Sequence, residues 1–210
     1  VYSNGEDITQ GGWQLPLAEA FYSIQGEGYH SGQAVYFIRL AGCSVRCHWC
    51  DSKETWNARN YPLVDINNLA AKASDALAPA VVVTGGEPTL YNLGPVSRIF
   101  REKGLQTYLE SSGTGALTGQ WDWICLSPKE QHPPGEAFYE KADELKVIIY
   151  ERKDLQWARQ AAGRVRPNTL LYLQPEWSRW PEMMPVIVDY VKEHPRWRVS
   201  LQAHKFMQVP

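Results

Sequence analysis

The chain has 210 residues, enough for one domain with a substantial core and short for two. Hydrophobic residues make up 44% and charged residues 21%, an ordinary globular balance, and the formal net charge of -2 gives no field that would draw the whole molecule to nucleic acid or to an anionic membrane. No run of about 18 apolar residues is present, which argues against a transmembrane span, and the N-terminal VYSNGEDITQGGWQLPL lacks the basic-then-apolar pattern of a signal peptide.

Residues 1–16 are polar and glycine-containing and are expected to form an arm, with a single domain over 17–210. AVYFIRL (34–40) reads as a buried strand running into AGCSVRCHWCDS. VDINNLAAKASDAL (64–77) has helical spacing, with Asp65 as its N-cap. AVVVTGGEP (80–88) is a β-branched apolar run stopped by a glycine pair, and NLGPVSRIFREKG (92–104) reads as a helix with Gly104 just past its end. Strands follow at 105–113, 121–128, 144–150, 170–175 and 197–204. Helices are expected at 153–163 and 181–194, the second needing Pro185 near its first turn to escape a kink. No internal repeat, low-complexity tract or linker is present.

Strands alternating with helices predict a parallel sheet with helices outside, and right-handed crossovers put the strand C-terminal ends on one rim. The unusual loops all fall there: the cysteine loop after 34–40, TGGEP after 80–83, ESSG after 105–109, SPK after 121–126 and QPEW after 170–173. That is the layout of an α/β-barrel active site. About seven strands are too few for a closed eight-fold barrel, so the expected class is α/β, a partial, open parallel β/α barrel of compact size.

Three of the four cysteines, Cys43, Cys47 and Cys50, form C-x3-C-x2-C. Clustered this way they are no disulfide framework, and they point to metal or redox chemistry in a reducing compartment, by default the cytoplasm. A structural zinc needs a fourth ligand, which here would be Cys125, His48 or His30. His48 would be cramped inside the loop, and Cys125 sits mid-strand as a buried apolar residue. A ferredoxin-type cluster wants a fourth cysteine nearby. A four-iron cluster held by three cysteines satisfies the count and leaves one iron open to an exogenous ligand.

C-x3-C-x2-C with Trp49 before the last cysteine resembles the signature of radical S-adenosylmethionine enzymes, and TGGEP resembles that superfamily's GGE motif. The resemblance implies a 4Fe-4S cluster on Cys43, Cys47 and Cys50. S-adenosylmethionine would chelate the open iron and be cleaved to a deoxyadenosyl radical, with Gly85, Gly86 and Glu87 meeting its amino group. FYSIQGEGYHSGQAVYFIRLAGC (21–43), CHWCDS, TGGEPTL, ESSGT, LSPK, LQP and QAHKF, in this order, resemble the 7-carboxy-7-deazaguanine synthase family over nearly the whole chain. The reaction implied starts with loss of a hydrogen atom from C6 of 6-carboxy-5,6,7,8-tetrahydropterin. The ring contracts, ammonia leaves, and S-adenosylmethionine is regenerated.

The same resemblance implies residue roles. Gln25 and the backbone of Ile24 and Gly26 would pair with the pterin edge, Glu27 would accept from ring N–H groups, and Arg39 would meet the substrate carboxylate. Thr84, His204 and the C-terminal carboxylate of Pro210 would also touch substrate. Ser52, where the family usually has Thr, would place its hydroxyl on Mg2+. Trp49, Cys50 and Asp51 would lie along the adenosine. Ser127, Pro128 and Lys129 would meet the ribose and methionine, and Gln174, Pro175, Glu176 and Trp177 would shape the adenine pocket. Glu110 and Ser112 would add contacts. ESSGT in place of ETSGT and QAHK in place of QTHK remove no evident role.

A flavodoxin or ferredoxin is the electron donor the resemblance implies, and a homodimer the assembly. Without it, Glu27, Lys129 and His204 would read as an exposed turn residue, a solvated lysine and a satisfied strand-end histidine. The rivals are a glycyl-radical activase, which would share the cysteine loop and GGEP but not need QGEG, Arg39 or His204, and a non-enzymatic zinc or electron-transfer module. Direct tRNA binding is opposed by the acidic balance and the lack of a basic stripe.

Overall fold

The structure, a computed structural model, describes residues 2, 3 and 6–210. Residues 1, 4 and 5 of the expected arm lie outside the described residues. Two short strands, β1 (Tyr2–Ser3) and β2 (Glu6–Asp7), pair antiparallel. The main sheet holds nine strands: β3 (Gln14–Ile24), β4 (Ala34–Leu40), β5 (Leu63–Asp65), β6 (Ala80–Gly85), β7 (Gln106–Ser111), β8 (Trp123–Leu126), β9 (Glu144–Ile149), β10 (Leu170–Pro175) and β11 (Trp197–Val199). Their order is β11-β10-β9-β8-β7-β6-β4-β3-β5. From β4 to β11 every neighbouring pair is parallel, while β3 pairs antiparallel with β4 and β5. The two edge strands among the described residues are not bonded to each other, so the barrel is open, as the strand count predicts.

The helices are α1 (Ile66–Asp75), α2 (Gly94–Glu102), α3 (Glu136–Lys141), α4 (Asp154–Ala162), α5 (Trp180–Glu193) and α6 (Ala203–Met207). Asp65 caps α1, its carboxylate accepting from the Asn67 N–H at 2.8 Å. Gly104 follows α2 at φ 75, a left-handed conformation that favours glycine. Pro185 falls in the second turn of α5 rather than the first, where it leaves the Pro181 carbonyl without its i→i−4 donor.

Alternation along each strand sorts the side chains into two faces. Tyr36, Ile38, Leu40, Val81, Val83, Leu109, Leu126 and Leu145 face the helices and pack with Phe100, Phe138 and Ile187. The opposite row packs a smaller cluster inside the barrel, Val35, Ala80, Val82 and Tyr108 with Phe37 and Trp123.

Three expectations need correction. The arm does not extend to residue 16: β3 begins at Gln14, and Leu15 is 1% exposed in the core. β11 stops at Val199, and 203–207 form a helix, because the Ala203 N–H turns to the Gly26 carbonyl at 2.9 Å instead of continuing the ladder. β3 and α3 are elements that the sequence pattern did not indicate.

Candidate active site

A cleft of about 290 Å³ opens at the rim, and every residue given a cluster, cofactor, substrate or Mg2+ role by the resemblance lines it except Pro128, which is buried, whereas the zinc candidates Cys125, His48 and His30 lie outside it. It gathers the cysteine loop after β4, the glycine pair after β6, Glu110 to Ser112 at the end of β7, Ser127 and Lys129 after β8, and Gln174 to Trp177 after β10. The turn after β3 and the C-terminal segment complete it from the open side.

The cysteine loop and the GGE loop are packed backbone on backbone. The Gly86 N–H donates to the Leu40 carbonyl at 2.8 Å and the Glu87 N–H to the Gly42 carbonyl at 2.7 Å. A Cβ on Gly85 would overlap the Leu40 backbone and one on Gly86 the Gly42 carbonyl, so only glycine permits this approach. Glu87 is 1% exposed and its carboxylate is saturated. Oε1 accepts from Thr89 N, Thr89 Oγ1 and Ser111 Oγ, and Oε2 from the Ser112 N–H and hydroxyl. Glu87 therefore braces the loop with its side chain and has only backbone to offer a ligand. Ser111 supplies one of these donors with its hydroxyl, at 2.6 Å.

Cys43, Cys47 and Cys50 are free and half-buried, facing the cleft. Burial pushes the Cys47 thiol up, and the neighbouring Cys50 and Cys43 add to it against the pull of Lys129. No three His, Cys, Asp or Glu side chains among the described residues converge closely enough to hold a single metal ion. The fourth ligands that zinc would need are engaged elsewhere. Cys125 is buried with its Sγ 3.3 Å from Glu144 Oε1. His48 packs edge-on against Tyr150. His30 is stacked on Tyr108 and edge-on to Trp123. The donor set suits a group larger than one ion, held by three thiolates.

The QGEG turn reaches across the barrel interior. The Gly28 N–H donates to Ser200 Oγ at 3.0 Å and the Tyr29 N–H to Glu144 Oε2 at 2.9 Å. Gly28, at φ 63, lies where a Cβ would strike the Glu144 carboxylate, and a Cβ on Gly26 would strike the His204 ring. Gln25 is 6% exposed and commits its amide inward, donating to Glu110 Oε1 at 2.8 Å and accepting from the Glu27 N–H at 3.1 Å. Its side chain thus orients the turn.

Glu27 meets Lys146 Nζ at 2.5 Å and the Gln202 amide at 2.9 Å. Burial alone would raise its carboxyl, but the Lys146 ammonium, Gln202 and Gln174 outweigh it and bring it down to about 2. Arg39 is less buried than its place in an apolar strand suggests. Its side chain is 28% exposed, with Nε on Glu19 Oε2 at 3.0 Å and one terminal nitrogen 3.5 Å from Ser52 Oγ. Lys129 donates to the Ser127 carbonyl and hydroxyl and lies over the Trp49 ring. The Glu176 carboxylate accepts from the Ser178 N–H at 3.0 Å and from the Ser178 hydroxyl, both on Oε2. Asp51 pairs with Lys205 at 3.3 Å, and Ser23 Oγ donates to the Pro210 oxygen at 3.0 Å. Phe21 and Phe37, stacked at 5.2 Å, give the cleft a flat apolar wall.

Lys146, Gln202, Ser111 and the Phe21–Phe37 wall were missed in the sequence. Lys146 left a readable signal. In ELKVIIY, Glu144 and Lys146 alternate with Leu145 and Val147, so two charged residues share one face of a buried strand and must find partners there.

A 4Fe-4S single cluster domain family matches residues 24–118. The 7-carboxy-7-deazaguanine synthase of Flavobacterium psychrophilum is 49% identical over 199 residues, covering 95% of this chain and 94% of the relative. The chain belongs to the 7-carboxy-7-deazaguanine synthase family. The synthase of Synechocystis sp. is 46% identical over 92% of this chain and 93% of its own. The crystal structure of QueE from Escherichia coli superposes with a TM-score of 0.83 at 27% identity, covering 93% of this chain and 96% of that one. The synthase fold and its 4Fe-4S domain are thus those of this chain, and no helix among the described residues is long and apolar enough to cross a membrane.

Proposed function

We infer that the chain is a radical S-adenosylmethionine enzyme that converts 6-carboxy-5,6,7,8-tetrahydropterin to 7-carboxy-7-deazaguanine with loss of ammonia. The observation that carries this is the joining of a three-cysteine loop, through the glycine pair, to a cleft floored by the QGEG turn. The activase rival explains the first feature and has no use for the second.

Cys43, Cys47 and Cys50 would hold the 4Fe-4S cluster. When bound, the cluster and S-adenosylmethionine supply hydrogen-atom abstraction from the substrate. The backbone of Gly85 to Glu87 would meet the cofactor's ammonium. The faces of Trp49 and Trp177, with the backbone of Ser127 and of Gln174 to Glu176, would hold its adenosine, and Lys129 its carboxylate end.

The pterin is flat, with donors and acceptors along its edge. The backbone of residues 24–26 and the Glu27 carboxylate would read that edge, with the ring against Phe21 and Phe37. Arg39, with Nε held by Glu19 and one terminal nitrogen 3.5 Å from Ser52 Oγ, would turn its remaining terminal N–H groups to the substrate carboxylate. Ser52, beside Arg39, would offer its oxygen to Mg2+, which takes few protein ligands and fills the rest with water and substrate oxygens. His204 and Thr84 would close the remaining sides. A flavodoxin or ferredoxin would supply electrons, the working assembly would be a homodimer, and the reducing chemistry suits the cytoplasm.

Anaerobic incubation of the cluster-loaded protein with S-adenosylmethionine, reductant, Mg2+ and the pterin should give 7-carboxy-7-deazaguanine by mass spectrometry. Deoxyadenosine without a deazapurine would overturn the substrate assignment in favour of the activase reading.

A further inference from the structure

The inward row of β9 is Glu144, Lys146 and Ile148, and its middle member is a lysine whose side chain is 4% exposed. Lys146 Nζ lies 2.5 Å from Glu27 Oε2 and 3.6 Å from Glu110 Oε2. These two carboxylates come from different walls, Glu27 from the turn after β3 and Glu110 from the end of β7. A buried ammonium is stable only when paired, and two facing carboxylates would repel without it. Glu27 accepts from Lys146 on Oε2 and from Gln202 on Oε1, with Gln174 as a third partner, which leaves one of its four acceptor sites for a ligand. It also lines the cleft.

We propose that Lys146 is a positioning residue for the pterin: its ammonium bridges Glu27 and Glu110 and holds the Glu27 carboxylate in the cleft as an acceptor for ring N–H groups. This rests on the reading of Glu27 as a pterin contact. The groups facing the pair are Glu110 on β7, Cys125 on β8, Glu144 on β9, Lys129 after β8 and His204 on α6, with the neutral amides of Gln25, Gln174 and Gln202. Without Lys146, burial and the nearby acids both favour protonated Glu27. A protonated carboxyl loses acceptor capacity, so pterin affinity would then fall as pH falls.

The test is the dissociation constant of 6-carboxytetrahydropterin, by anaerobic calorimetry on cluster-loaded enzyme with S-adenosylmethionine and no reductant, over about pH 6 to 8. Lys146→Arg should follow the wild-type pH profile, to which His204 contributes at the acid end, and the effect of Lys146 is read as the difference from that profile. Lys146→Met should bind about tenfold or more weakly at the acid end and recover toward the alkaline end, with S-adenosylmethionine affinity unchanged. Glu27→Gln should be weak at every pH, and the Glu27→Gln/Lys146→Met double variant no weaker. If Lys146→Met does not fold, the double variant, which removes both charges together, carries the test. A double variant much weaker than Glu27→Gln would overturn the proposal, as would a pH-independent loss in Lys146→Met or a loss shared by S-adenosylmethionine. Glu27→Gln binding as tightly as wild type would instead overturn the Glu27 reading itself.

Discussion

Gly86 lies against Gly42 so closely that a Cβ on Gly86 would overlap the Gly42 carbonyl and stand 3.0 Å from the Cys43 Cβ. The GGE loop and the cysteine loop, proposed above to meet the cofactor's ammonium and to hold the cluster, are therefore one built unit. Gly86→Ala must push Cys43 out of place, at a cost of roughly 1–3 kcal/mol for overpacking. The expected result is poor iron retention after reconstitution with an unchanged far-ultraviolet dichroism spectrum. An iron assay on the purified variant checks it.

Glu87 is a second brace of the same unit. Replacing it by Gln turns an amide N–H2 toward donors from Thr89, Ser111 and Ser112. A buried donor facing donors should cost about 3 kcal/mol, or roughly 6–12 °C in the thermal midpoint of a chain this size. Calorimetry of wild type and Glu87→Gln measures it.

Cys125 separates the cluster from the zinc reading. It is buried on β8 against Glu144, and burial, with the acid beside it, pushes its thiol well up. Cys125→Ala should keep the full iron and sulfide content, while Cys47→Ala should lose most of it. Loss of metal in Cys125→Ala would make it a ligand.

His204 gives the C-terminal helix a pH dependence. Burial, only partly opposed by Glu27 and Asp51, holds the ring below its ordinary 6.5. The native state then binds fewer protons than the unfolded one, so this stabilisation is present above pH 6.5 and is lost as pH falls below it. The protection factors of residues 203–210, measured by hydrogen exchange and corrected for the intrinsic rate at each pH, should fall below that pH, and His204→Asn should flatten the change.

Ser52 and Arg39 sit together at the mouth, 3.5 Å apart. Ser52→Ala should lower the stimulation of turnover by Mg2+, and Ser52→Thr should retain it. Initial rates against Mg2+ concentration decide this.

The parts of the site legible in the sequence are those whose chemistry demands unusual residues. Three cysteines on one loop, a glycine pair at a strand end and QGEG announce themselves because few folds need them. The helix-facing rows of β4 and β6 are equally plain as apolar runs. β3 was missed because QLPLAEAFYSI carries Pro16, Glu19 and Ser23 and its burial is mostly partial, the pattern of a strand near an edge. The end of β11 misled for the opposite reason, since SLQAH continues a strand-like alternation while its backbone turns to bond Gly26. Lys146 and Gln202 stayed hidden because their meaning lies in partners more than a hundred residues away. Gln25 and Glu87 line the cleft as expected, but the hydrogen bonds by which their side chains also brace it, to Glu110 and from Ser111, join residues far apart in the chain and leave no local pattern.

The central claim is hydrogen-atom abstraction from C6 of a pterin held over a three-cysteine cluster. Its most direct test is turnover of 6-carboxytetrahydropterin deuterated at C6, by wild type and by Cys47→Ala. Wild type should form 7-carboxy-7-deazaguanine and place deuterium in recovered S-adenosylmethionine, and Cys47→Ala should do neither. Deazaguanine formed with no deuterium in the cofactor, or formed equally by Cys47→Ala, would contradict it.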